Sequence, residues 1–419
     1  VAFNNKISNA SGIVSENVTL GLGATENGQA DLENVKLTLK SGTLDMQDDE
    51  IRTVKTGEFS STADVKLNID ADLKAGEADK IEASSVAAGS EISLGSVNIL
   101  EDGLESITVF ANGNSPQFVN LDNFAAFSKD YKYTFSEGGS GILDVASQEQ
   151  TLTGLNGAIK DNTETKSYSV AENDMVSGDL GKLEGSALTI EGNNNTLNGD
   201  GYAGMELGTG QEVTFNNVEN VSGFDGTLGG VINNEGGTVN INNTDFTNNT
   251  GDKGGALYTT GDVNITANGK DVLFAGDTST ADSQNNAIFV ADKDAEINLT
   301  ANSGKIRFED GINGVDGYKI TADGTAADNS GIEFAGKLEN LGELQINTTT
   351  VKLADENLID NANVTLNGGT LDLNNGKTGE LNVADYKSNG GLLSIDVDPS
   401  AGKADELHIH GDASGHTKL

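Results

Sequence analysis

The chain has 419 residues, with 65 acidic against 25 basic side chains and a formal net charge of −40 at pH 7. That balance argues against nucleic acid as a partner, because phosphates demand Lys and Arg, and it disfavours unaided contact with anionic lipid. With 54 Gly, 2 Pro, no Cys and no Trp, and apolar residues at only 35%, a conventional thick core is excluded too.

Low hydrophobicity with high charge often signals disorder, but regular apolar doublets run along this chain. A thin core with Gly and Asn turns suits a solenoid, in which each layer buries only a few side chains. Residues 1–64 carry LTLKSGTLDM from position 37 and read as the end of a first β-helix block. Residues 65–147 follow as a different, closing module, with LNIDADLKAGEADKIEA at 67–83, then ITVFANGNSPQFVNL and DYKYTFSEGGSGILDVAS.

Residues 148–392 read as a second block. Apolar-polar-apolar triplets start at 188, 213, 239, 263, 297, 318, 344 and 364, period-2 alternation inside a solenoid-scale period of roughly 20–26 residues. ITANGKDVLFAGD, LTANSGKIRFEDG and ITADGTAADNSGIEFAG share a T-A-[ND] start, a turn and a terminal Phe: Phe274, Phe308 and Phe334. GGVINN, GGALYTT and NNAIFVA supply a third strand. Three short strands per coil with Gly and Asn corners predict a parallel β-helix, and corner Asn residues are placed to stack into hydrogen-bonded ladders. No helical i, i+3, i+4 pattern is sustained over 187–375. An antiparallel sandwich is the competing architecture; the recurrence of whole coil motifs favours the solenoid.

Residues 393–419 repeat the closing module's start. LSIDVDPSAGKADELHI (393–409) matches 67–83 without a gap, pairing Leu67/Leu393, Ile69/Ile395, Asp70/Asp396, Asp72/Asp398, Gly76/Gly402 and Asp79/Asp405. VTLNGGTLDL at 364 matches the stretch at 37 in the same way. The chain thus reads as the end of one block, a complete second block and the start of a second closing module.

At these residues the chain resembles bacterial autotransporter (type V secretion) passenger domains. ADELHIHGDASGHTKL is similar to the D-x-L-x-[IV]-x-G-x-A-S-G-x-x-x-L signature of the autochaperone region, carried here by Asp405, Leu407, Ile409, Gly411, Ala413, Ser414, Gly415 and Leu419. The earlier copy keeps Asp79, Ile81, Gly89 and Leu94, and Tyr131 and Tyr133 stand at the family's Tyr-x-Tyr positions. The family's tryptophan is absent, with Ile142 or Leu143 near its place. TDFTNNTGDKGGALYTTG resembles the F-x-x-N and GGA-[ILV] repeats of chlamydial polymorphic membrane proteins and related β-helical adhesins, through Phe246, Asn249, Gly254, Gly255, Ala256 and Leu257. The resemblance implies an all-β, single-stranded, right-handed parallel β-helix of the pectin-lyase-like kind, interrupted by an autochaperone-like module. That module normally occurs once, beside the membrane barrel, so its internal copy implies tandem blocks.

Chemistry is sparse in the sequence. Parallel β-helices also host polysaccharide lyases and hydrolases, and lyase chemistry pairs a Lys or Arg base with carboxylates. KIRFED is the one candidate, with Lys305, Arg307, Glu309 and Asp310; alternation puts the first three on one face, where a surface ion-pair row is the plainer reading. The three histidines, His408, His410 and His416, all fall in the last twelve residues, which excludes a dispersed nucleophilic triad. At the places of His408 and His410 the earlier copy has Glu82 and Ser84, so the fold does not require imidazole there. Calcium held by scattered carboxylates is a lesser reading, since neither an EF-hand loop nor an Asp-rich glycine nonapeptide array occurs.

The sequence therefore predicts no catalytic residues, no bound cofactor and no metal-site residues. Its expected role is a non-enzymatic extracellular stalk or adhesin at a bacterial surface, attached to or released from the outer membrane. Expected partners are a surface receptor or glycan, another copy on a neighbouring cell, and an outer-membrane β-barrel outside this chain. A secreted polysaccharide lyase or glycoside hydrolase is the alternative. Absence of cysteine suits a chain that crosses a membrane unfolded, no run of 18 apolar residues reads as a spanning helix, and a start at Val1 without a signal peptide reads as a piece of a longer protein.

Overall fold

The computed structural model of the chain describes residues 10–22, 31–32, 34–150, 152–281, 283–325 and 330–419. Strand accounts for 56% and helix for 3%, and the strands form a parallel β-solenoid of about 16 turns. Two compact units divide it: 1–171 with 187–193, and 172–186 with 194–419.

In the second unit, three stacks of parallel strands make the faces of each coil. The first contains Glu212–Asn216, Thr238–Asn242, Val263–Ala267, Glu296–Ala301, Tyr318–Gly324, Leu341–Ile346 and Asp360–Leu366. Val213, Val239, Val263, Ile297, Ile320, Leu344 and Val364 lie in successive register, and all are buried. Most of the predicted triplets thus stack as expected. Tyr318 is the exception: it faces Leu341, and Ile320 takes the place opposite Ile297. The pairing with Glu296–Ala301 is continuous, so the whole triplet is offset by two, and a bulge between Tyr318 and Lys319 opens only toward the next coil. Since YKI and ITA alternate alike, a two-residue slip preserves the inward pattern and the sequence alone does not reveal it.

The second face holds Phe246–Thr247, Val272–Ala275, Lys305–Phe308, Gly331–Phe334, Thr350–Leu353 and Thr370–Asp372. Here Phe246, Phe274, Phe308 and Phe334 are in register and stack at 5.4, 4.7 and 5.4 Å between ring centroids, within 18° of parallel. Strand spacing of about 4.8 Å imposes this geometry, because an inward ring repeated at one position meets its copy one layer on. The turn before Phe334 lies partly at 326–329, outside the described residues.

The third face, Met205–Leu207, Ile232–Asn234, Leu257–Thr259, Asn286–Val290 and Gly311–Gly314, buries Ile232, Leu257, Ile288 and Ile312 in register. Beyond it the face thins to single bridges, Ile312 to Leu338 and Leu338 to Ile359. The Gly pair before Leu257 has a steric cause. A Cβ on Gly254 would lie 2.0 Å from the Leu257 carbonyl oxygen, and one on Gly255 would lie 2.2 Å from the Thr278 nitrogen. Asparagine ladders occur both at a corner, where Asn243 donates to Asn217 at 3.0 Å, and in mid-strand, from Asn298 to Asn264 to Asn240 at 3.0 and 2.9 Å. The corner residues have left-handed φ of 50° and 51°.

Within the first unit, Gly12–Ser15, Lys36–Leu39, Thr53–Ser60 and Lys80–Val86 form one stack, and Val18–Gly21, Gly42–Asp45, Val65–Asp72 and Glu91–Glu101 another. The last strand is buried on both faces: its outer side meets Thr165–Ser169, with Ser167 Oγ donating to Val97 O at 2.9 Å and Ser169 Oγ accepting from Ile99 N at 2.7 Å. An antiparallel hairpin, Tyr131–Gly139 with Ile142–Glu149, follows. Of the neighbours Ile142 and Leu143, Leu143 is fully buried and Ile142 is exposed. Tyr133 is buried and donates its hydroxyl to Asp102 at 2.7 Å. Helix Gly154–Lys160, which no sequence pattern announced, buries Leu155, Ala158 and Ile159; seven residues are too few for helical periodicity to register.

Replacing Phe308 by Ala removes an inner ring of the stack. The expected loss is about 3–5 kcal/mol in chemical denaturation, with a smaller loss for Phe308→Leu.

Candidate functional site

The sequence motif repeated at 67–83 and 393–409 forms the same carboxylate device twice. In the first copy, Asp79 is fully buried; its Oδ1 accepts from Arg52 N at 2.7 Å and its Oδ2 from Asp70 N at 2.8 Å. Asp70 in turn accepts from the backbone N–H groups of Asp48 and Asp49 at 2.8 and 2.9 Å. The second copy repeats this bond for bond. Asp405 accepts from Gly379 N at 2.9 Å and Asp396 N at 2.6 Å, and Asp396 accepts from Asn375 N and Gly376 N at 2.9 and 2.6 Å.

Each clasp closes a short antiparallel hairpin, Ala71–Asp72 with Glu77–Ala78 and Val397–Asp398 with Lys403–Ala404. A third aspartate, Asp72 or Asp398, caps its turn through two backbone N–H groups. Gly76 and Gly402 adopt left-handed φ of 72° and 66°. The chain leaves the coil, turns back and re-enters, and buried carboxylates take up the backbone donors that this detour frees. Gly415 is equally constrained: φ is 92°, and a Cβ would lie 1.9 Å from the Ser388 carbonyl oxygen.

Burial pushes the carboxyls of both Asp70 and Asp79 well up, with their mutual repulsion adding to it in Asp79; the N–H donors pull the other way and do not prevail. Neighbouring Asp45 is raised to about 6, again by burial first. Asp48 and Asp49 are raised for the same reason, although the Arg52 guanidinium reaches Asp48 at 2.5 Å.

The KIRFED residues separate. Lys305 pairs with Glu333 at 2.6 Å, and Arg307 bridges Glu333 and Glu309 at 3.2 Å each. Arg307, Glu333, Lys352 and Asp372 lie in register on successive coils, a column of alternating charge. Burial raises the Glu333 carboxyl, but the Lys305 hydrogen bond and the surrounding cations outweigh it and bring the net shift down. Both potential bases are therefore held by carboxylates as ion pairs. Asp310 points inward, is 2% exposed, and accepts from Asp277 N at 2.7 Å.

That contact belongs to a buried column the sequence reading missed. Asp277 accepts from both the backbone and side-chain amides of Asn249 at 2.9 Å, while its Oδ2 is buried without a partner. Burial pushes Asp277 well above the carboxylate range. The F-x-x-N spacing of Phe246 and Asn249 recurs as Phe274 and Asp277, which was the available signal.

The histidines lie on the outer side of the final coil. His408 Nε2 is 3.1 Å from Glu406 Oε2, and His410 Nε2 is 3.0 Å from Asn382 Oδ1. Across the coil step Glu406 faces Glu380 and His408 faces Asn382. One ligand atom each from Glu380, Glu406 and His408 lies within 4.8 Å of the other two, the one such grouping among the described residues. His416 is separate, beside Gly390.

Asp79→Ala leaves the Arg52 and Asp70 N–H groups buried without acceptors, an expected cost of about 2–6 kcal/mol at roughly 1–3 kcal/mol per orphaned donor. Raised carboxyl pKa values mean the folded state holds protons that the unfolded chain releases. Stability of the first unit is therefore fullest below the ordinary carboxylate range and falls as pH rises from there through neutral. Denaturation midpoints at pH 5 and pH 9 measure the slope, which Asp79→Asn should flatten. For Glu333→Gln the expected loss is about 1 kcal/mol or less, vanishing in high salt, because the pairs are part-exposed. In comparisons with known proteins, no family model, curated protein or solved structure matches this chain.

Proposed function

We propose that the chain is an extracellular passenger segment of a bacterial autotransporter, a rigid surface stalk or adhesin without enzymatic activity. The observation that carries this reading is the twice-built clasp, matched in sequence, hairpin and hydrogen bonds at 67–83 and 393–409. A device reused at the end of successive coil stacks fits tandem passenger blocks, each with an autochaperone-like closing module on a right-handed coil. The F-x-x-N and GGA positions support the same reading, since they build the ring stack, the buried Asn–Asp column and the glycine corner.

The proposed mechanism follows from layer-by-layer folding. Each new coil finds a complete template in the one before it, so stability grows by nearest-neighbour increments. A chain emerging unfolded at a cell surface gains free energy with every layer, which opposes its return. The finished stack presents side chains on its outer faces to a receptor, a glycan or another copy.

Fusion of the chain ahead of an outer-membrane β-barrel translocator tests this. The expected result is protease-accessible chain on the cell surface, with yield falling at least several-fold for Asp405→Ala. Depolymerisation of a glycan panel by the purified chain, lost in Arg307→Ala, together with failure to reach the surface, would overturn the proposal in favour of a polysaccharide-active enzyme.

A further inference from the structure

We propose that Glu380, Glu406 and His408 form a surface site for a divalent transition metal of the zinc class. Their ligand atoms already lie within 4.8 Å of one another on exposed side chains, so a small rotation of a carboxylate brings all three onto one ion, whose oxygen and nitrogen ligands sit at about 2.0–2.2 Å. An imidazole joined to two carboxylates favours zinc-like ions over calcium or magnesium, which prefer oxygen ligands.

The internal duplication supplies an independent argument. Thr53 faces Lys80 and Lys55 faces Glu82 in the first copy, as Glu380 faces Glu406 and Asn382 faces His408 in the second. The backbone is the same, and Lys80 and Glu406 each directly follow the clasp aspartate. All three ligand positions nevertheless differ between the copies: Thr53, Lys80 and Glu82 stand where Glu380, Glu406 and His408 do. The fold therefore does not call for this trio. Two glutamates directly opposite across neighbouring strands repel each other, and among the described residues Glu380 has no ion-pair partner. The first copy avoids that repulsion with Thr opposite Lys, whereas a bound cation removes it in the second.

The ion would hold strand Glu406–Ile409 to the preceding coil by linking Glu406 and His408 on one to Glu380 on the other. This inference stands apart from the proposed passenger role, and its test does not depend on secretion. Calorimetric titration of the full chain with zinc chloride, with calcium and magnesium chloride as comparisons, is the experiment. One zinc per chain is expected, at least tenfold tighter than calcium. The triple variant Glu380→Thr, Glu406→Lys, His408→Glu installs the first copy's residues, which that backbone already accommodates. It should keep the parent's far-ultraviolet circular dichroism and lose zinc binding, while His416→Ala binds as the parent does. No zinc binding, binding that survives the triple change, or equal loss in His416→Ala would overturn the site.

Discussion

Parallel stacking in register constrains every part of this structure. A coil's outward-facing backbone donors and acceptors along the stacking direction are met by the next coil, and only if each position repeats its predecessor's conformation. Whatever a coil places inside, its neighbour must match about 4.8 Å away. The phenylalanine stack, the asparagine ladders and the Asn249–Asp277–Asp310 column are three solutions to that one demand. Apolar rings meet it by dispersion, amides by donating to and accepting from their own kind, and aspartates by accepting from backbone N–H groups.

Departures from the stack need special chemistry. At the two hairpin insertions the chain abandons the coil path, and its amides lose their regular partners. A carboxylate is well suited to replace them, since its two oxygens accept from donors on different segments at once. The cost is burial of acidic groups, visible in the upward shifts of Asp70 and Asp79. The first clasp is sealed beneath further strands, whereas Asp405 retains 8% exposure. The same bonds thus serve in two settings of different solvent access.

The net charge of −40 takes on a more local meaning in this frame. Where coils stack, like charges at one position would repel along the whole column. Arg307, Glu333, Lys352 and Asp372 avoid this by alternating sign from layer to layer. Arg307 and Lys352 therefore stand where a carboxylate column would otherwise form, and KIRFED, legible as a charged strand, is a segment of that pattern seen from one layer only. Glu380 opposite Glu406 departs from that alternation, as Asp72 opposite Glu101 does in the first unit.

The sequence by itself determined the strand faces, the inward phenylalanines, the glycine corners and the duplicated closing motif. Each is written in local alternation or in direct self-similarity, and neither requires knowing what lies across the coil. The tertiary structure decided the register. Coil steps vary with corner length, so neither the slip at Tyr318 nor the partners of Arg307 could be counted from spacing. For the same reason Glu380, 28 positions before His408, became visible as its neighbour only once the last coil was laid on the one before. Helix Gly154–Lys160 was hidden for want of length, and the clasp's bonds because Asp70 and Asp79 look in sequence like two more acidic residues in an acidic chain. Local pattern fixes which way a side chain faces; stacking fixes what it meets.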